Sequence, residues 1–68
     1  MSVAKISEIK ASSTESFDAA IREGIARANK TLKNVRSAWI QDFEVITDRS
    51  GEISEYRVTM KITFVLAD

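Results

Sequence analysis

From Phe17 onward the apolar positions run Phe17, Ile21, Ile25, Ala28 and Leu32, in steps of four, four, three and four, with Gly24 beside the stripe. That spacing collects them on one face of a helix. The opposite side carries Asp18, Arg22, Glu23, Arg27, Asn29, Lys30 and Lys33. The pattern predicts a helix over about residues 13–33. Ser12 with Glu15 three residues on fits a capping box, in which each side chain satisfies an orphan N–H of the first turn, and Ser13 is a competing cap. Glu15 and Asp18 suit the positive end of the helix, and Lys30 and Lys33 the negative end. Asn34 reads as the terminator, since asparagine tolerates the left-handed conformation. Gly24 costs roughly 1 kcal/mol against alanine inside a helix, which points to a close approach to a sheet.

The rest of the chain follows a period of two. Val3 to Ile9 predicts a short strand whose apolar positions fall on both faces. Val35 to Thr47 predicts a long strand in which neither the odd nor the even set is wholly apolar, so both faces meet something and a bulge near Gln41 fits the pattern. Asp48-Arg49-Ser50-Gly51 is a turn, with Gly51 supplying a positive φ. From Glu52 to Leu66, the set Tyr56, Val58, Met60, Ile62, Phe64 and Leu66 fills one face without interruption. Arg57, Thr59, Lys61 and Thr63 form the other face.

The order strand, helix, strand, strand predicts an α+β fold. A right-handed crossover runs the first two strands the same way, and the hairpin reverses the third. The third strand then lies in the centre of a three-stranded antiparallel sheet, with one helix covering one face. A helix of about 20 residues spans roughly 30 Å. A strand of about 13 residues spans roughly 43 Å. The hairpin therefore overshoots its helix, and Trp39, Phe43 or Val45 is expected on surface without intrachain cover.

Composition narrows the function. At 68 residues the chain is read as a single domain, 1–68, and a domain of that size is marginal alone. Disulfides and thiolate metal sites are excluded because there is no Cys. There is no His, which removes the commonest general base and metal ligand together. Of the usual supports for small folds, oligomerisation is left. Ten basic residues balance ten acidic ones, so charge argues for neither nucleic acid nor an anionic membrane as partner. The polar opening Met1-Ser2-Val3-Ala4-Lys5-Ile6-Ser7-Glu8 does not suit a signal peptide, and a cytoplasmic location is the default. The glycines, Gly24 and Gly51, have no glycine neighbours, so no phosphate-cradling loop is present and an enzyme is disfavoured.

Over roughly Lys5 to Leu66 the chain resembles the dodecins, small flavin-binding proteins that assemble as hollow dodecamers. The resemblance rests on Ser12-Ser13-Thr14-Glu15-Ser16-Phe17, Ala19-Ala20-Ile21, Ala26-Arg27-Ala28, Lys30-Thr31-Leu32-Lys33-Asn34-Val35 and the final Tyr56-Arg57-Val58-Thr59-Met60-Lys61-Ile62-Thr63-Phe64. It implies a homododecamer that stores or sequesters riboflavin or FMN at subunit interfaces, without catalysis. It also implies a tryptophan on the second strand that stacks on the flavin ring, and a glutamine on the third that hydrogen-bonds the ring's polar edge. Here the tryptophan position holds Ser37, and Trp39 follows two residues later, on the same strand face but displaced by roughly 6–7 Å. The glutamine position holds Arg57, which donates but cannot accept.

The candidate flavin-binding residues are thus Trp39, Arg57, Ser37, Gln41 and Asp42. Trp39 offers a flat π face, and equally the properties of an interface tryptophan. Arg57 reads as a ligand contact or, more simply, as the partner of Asp42 or Glu44 on the adjacent strand in an ion pair between subunits. Asp42 reads first as a solvated or ion-paired residue. Asp48, Ser50 and Glu52 lack the ligand count of a calcium loop, and no metal site is expected. The alternative function is a structural shell of dodecin type that has lost flavin and holds another ligand or a cation.

Overall fold

The computed structural model describes residues 2–66. Its elements are β1 (Ala4–Ser13), α1 (Phe17–Thr31), β2 (Val35–Thr47) and β3 (Ile53–Val65). The three strands form one sheet in the order β1-β3-β2, and both pairings are antiparallel. The helix packs over β1 and β3 and reaches β2 less. None of the helix in the described residues is long and apolar enough to cross a membrane.

The uninterrupted apolar face of β3 is the centre of the core. Val58, Met60 and Ile62 are fully buried against Ala20 and Ala28 of α1. The most buried helix positions are Ala20, Gly24 and Ala28, one every four residues. The larger Phe17, Ile21, Ile25 and Leu32 flank that line and are only partly buried. Small residues form the line because the helix axis lies close to the sheet. A Cβ at position 24 would collide with the Met60 side chain and approach the Ala11 Cβ to 3.0 Å, so the close approach expected at Gly24 is present.

Two boundaries differ from the sequence reading. β1 continues past Ile9 to Ser13, where Ser13 stands opposite Tyr56. The partner strand β3 offers ladder hydrogen bonds along that whole stretch, and they outweigh the preference of Ser12 and Ser13 for caps and turns. The capping box of Ser12 and Glu15 is therefore not formed. Ser16 is the N-cap, in extended conformation, and its hydroxyl accepts from the Ala19 N–H at 3.0 Å. Ser13 instead accepts from the Glu15 N–H at 2.9 Å in the link between strand and helix. At the other end Leu32 caps the helix, and Asn34 takes the left-handed conformation with φ of 60°. Its main-chain oxygen accepts from the Val65 N–H at 3.1 Å, tying the start of β2 to the end of β3.

Three register shifts explain the mixed pattern of β2. They fall between Val35 and Ser37, between Ile40 and Asp42, and between Ile46 and Thr47. Across the second shift, at Gln41, the strand changes parity: Ala38 and Ile40 pair with Ile62 and Met60 of the core, and then Phe43 pairs with Val58. An extra residue in one strand has this effect because side chains alternate strictly along the others. The helix is about 22 Å long and the long strands about 43 Å. The molecule's longest axis is accordingly 52 Å. Beyond the start of the helix the aromatic rings touch one another, while Phe43 and Val45 remain exposed, as their place past the helix predicts. Phe17 meets Phe43 at 5.0 Å and Tyr56 at 5.1 Å, both edge to face.

Candidate functional site

The sheet face away from the helix is built from alternate residues of all three strands. Along β3 it presents Arg57, Thr59, Lys61 and Thr63, whose partners on β1 are Ser12, Lys10, Glu8 and Ile6. Their partners on β2 are Glu44, Asp42, Trp39 and Ser37. The face is divided by chemistry. One end holds Ile6, Thr63, Ser37 and Trp39, and the other holds Lys10, Arg57, Asp42 and Glu44.

Trp39 is 66% exposed, the largest apolar side chain on the open face. Large apolar groups of this kind on an uncovered sheet face mark a contact surface. Ser37, two residues before it on the same strand face, is a small neighbour. Across the ladder is Lys61, whose Nζ lies 5.7 Å from the indole centre. That distance lies within the reach of a cation–π attraction.

The five sequence candidates are not all brought together. Ser37 and Trp39 share the open face at its apolar end, and Asp42 follows after the bulge. Gln41 is the bulge residue itself. Arg57 is on the same face but four residues from Lys61 along β3, roughly 13 Å away. Within the chain Arg57 stands opposite Glu44, and its Nε pairs with Glu55 at 3.5 Å. Glu44 instead meets the Lys10 ammonium at 3.7 Å, a bridge that spans the central strand. Exposed ion pairs like these contribute about 0–1 kcal/mol each, so their main effect is to orient the side chains.

Lys61 entered the sequence reading only as one polar position on its strand. Its place opposite Trp39 depends on the register of β2, which the shifts at Ile46/Thr47 and Gln41, between the hairpin turn and Trp39, decide.

The turn is organised around the Asp48 carboxylate. The Asp48 Oδ1 accepts from the Ser50 N–H at 2.9 Å, the Ser50 hydroxyl at 2.6 Å and the Glu52 N–H at 3.1 Å. The Ser50 hydroxyl and the Glu52 and Ser50 amides hold the Asp48 carboxyl below the usual carboxylate range. Among the described residues no three Asp, Glu, His or Cys side chains converge as a metal would need.

Comparison with known proteins agrees with this architecture. The family model described as Dodecin matches residues 3–67. The dodecin from Streptomyces davaonensis superimposes with a TM-score of 0.93 at 33% identity, over 98% of this chain and 97% of that one. An arginine-to-alanine variant of the Thermus thermophilus dodecin gives 0.92 at 29% identity, over 100% of both chains. The calcium dodecin of Mycobacterium tuberculosis, described as a calcium-chelating immunodominant antigen, gives 0.83 at 26% identity, over 96% of this chain and 91% of that one. No curated protein sequence matches. The family match spans nearly the whole length and the strand order and helix placement coincide: the chain belongs to the dodecin family.

Proposed function

We propose that this protein binds a flavin, riboflavin or FMN, against Trp39 at the subunit interfaces of a homododecamer, and so stores or sequesters it without catalysis. The observation that carries the reading is the Trp39 indole, 66% exposed on the uncovered sheet face with only small or flexible side chains around it. A flat aromatic face of that area suits a flat heteroaromatic ring. Membership of the dodecin family supports the same ligand class.

The residues fit such a group in part. Trp39 stacks on the ring, and Ser37 leaves room beside it. Asp42 and the bulge residue Gln41 border the same strand and supply acceptors and, from Gln41, a donor for polar ring atoms. Arg57 lies four residues along β3 from the position opposite Trp39, so it would meet the far edge of a ring on Trp39 rather than its stacked face. A bound flavin supplies a chromophore whose excited state the indole quenches. The chain's own part is to stack, to exclude water and to hold the ring still.

The test is direct. Protein purified from cells is expected to absorb in the near-UV and blue, and apoprotein is expected to quench added riboflavin fluorescence. Colourless protein that quenches nothing removes the reading.

The second reading is a shell that keeps the assembly and has lost the flavin. It is favoured by Trp39 standing two positions past the place where the family resemblance sets a stacking tryptophan, and by Arg57 being engaged with Glu55.

A further inference from the structure

The aromatic platform carries its own cation. Among the described residues the salt bridges join Lys10 with Glu44, Arg22 with Asp18 and Arg57 with Glu55, and none involves Lys61. Its nearest acidic neighbours in the register are Glu8, opposite on β1, and Asp42, paired with the adjacent Thr59. Neither bridges it. The Lys61 ammonium is directed to the Trp39 ring instead, at 5.7 Å from its centre.

A lysine ammonium is a compact charge on a flexible stem. A planar ring that stacks on Trp39 takes the face the ammonium now addresses. The ammonium then moves to the ring's edge and stays near, because its stem is anchored across the strand pair from Trp39. An edge cation discriminates by charge. It stabilises a ring that bears negative charge and offers little to a neutral one, and exclusion of water at an interface strengthens the difference.

Resting on flavin binding at Trp39, we infer that Lys61 is a specificity-determining residue that turns this platform toward planar heteroaromatic rings carrying negative charge. For a flavin this means that Lys61 raises the affinity for the two-electron-reduced, anionic ring relative to that for the neutral oxidised one. Reduction adds two electrons and one proton to the neutral ring and leaves one negative charge on it. Replacing Lys61 by a neutral residue acts twice in the same direction. It frees the indole face for the oxidised ring, and it strips the reduced ring of its counter-charge.

The experiment uses the assembled protein and riboflavin, which has no phosphate to draw the lysine elsewhere. Bound riboflavin is reduced with dithionite against a reference dye at mildly alkaline pH, in wild type, Lys61→Gln and Lys61→Arg. The expected result is a tenfold shift of the affinity ratio toward the oxidised ring in Lys61→Gln, read as a midpoint potential about 30 mV lower than wild type for this two-electron couple. Lys61→Arg keeps the wild-type potential, and oxidised riboflavin binds Lys61→Gln at least as tightly as wild type. If the glutamine variant does not assemble, Lys61→Thr, which matches Thr59 and Thr63 on the same face, is read in its place. Equal potentials in wild type and the neutral variant, with riboflavin bound to both, overturn the role of Lys61 and leave flavin binding standing. A wild-type protein that takes up no riboflavin overturns both.

Discussion

Gly24 of the helix rests directly on Met60 of the central strand: a Cβ at position 24 would collide with the Met60 Cε methyl and stand 3.0 Å from the Ala11 Cβ. Gly24→Ala gains about 1 kcal/mol of helix propensity. Overpacking of a tight contact costs about 1–3 kcal/mol. The Met60 methyl can swing aside, but the Ala11 Cβ is fixed to the β1 backbone. Gly24→Ala is therefore expected to lower stability by about 1 kcal/mol, and Gly24→Val by more, in denaturant titrations. An alanine variant more stable than wild type would mean that the helix can lift from the sheet without loss.

Trp39 separates binding from architecture. At 66% exposed it contributes little to the fold of one chain. Trp39→Ala is expected to change the chain's own stability by no more than about 0.5 kcal/mol. It is expected to weaken riboflavin quenching at least tenfold while the assembly, sized by light scattering, stays intact. Loss of the assembly together with the indole would instead assign Trp39 to the shell alone.

The helix cap distinguishes neighbouring serines that look alike in sequence. Ser16 bonds the Ala19 N–H, and Ser12 lies in β1 opposite Arg57. Ser16→Ala is expected to cost about 1 kcal/mol, the usual loss for an N-cap hydroxyl. Ser12→Ala, on the open face of a strand, is expected to stay within about 0.5 kcal/mol. Thermal melts of the two variants measure the difference, and equal melts would restore Ser12 as a cap.

Asp48 makes the hairpin turn sensitive to acid. A carboxyl whose pKa is depressed by folding adds stability above its unfolded pKa and loses it as pH falls through the folded value. The Ser50 hydroxyl with the Glu52 and Ser50 amides depresses Asp48 in that sense. The turn is expected to loosen only in acid, below the range in which an unstructured aspartate protonates. Carboxyl chemical shifts should give a midpoint below that of an unstructured aspartate, and the Ser50 and Glu52 amides should exchange faster as that midpoint is crossed. In Asp48→Asn the acid step disappears.

Much of the fold is legible in the residues because its strongest signals are long and regular. The uninterrupted set from Tyr56 to Phe64 marks the central strand, and the stripe from Phe17 to Leu32 marks the helix. Even the bulge at Gln41 shows as a break in alternation. The boundaries are less legible. Ser12, Ser13 and Ser16 share the same local chemistry, and only the reach of β3 as a ladder partner assigns two to a strand and one to a cap. The candidate site is divided in the same way. That Ser37 and Trp39 share a face follows from alternation, but the distance between Arg57 and Trp39, the bridge of Lys10 to Glu44 and the ammonium of Lys61 over the indole do not.

The sequence by itself determined the strand–helix–strand–strand order, the central place of the last strand and the exposure of Trp39, Phe43 and Val45, since periodicity and burial act locally and additively along it. The tertiary structure decided which polar residues meet across the open face. Register is a property of pairs of strands, and one extra residue at Gln41 changes every partner beyond it. Lys61 stands over Trp39 for that reason, and the platform and its cation exist only once the sheet is formed.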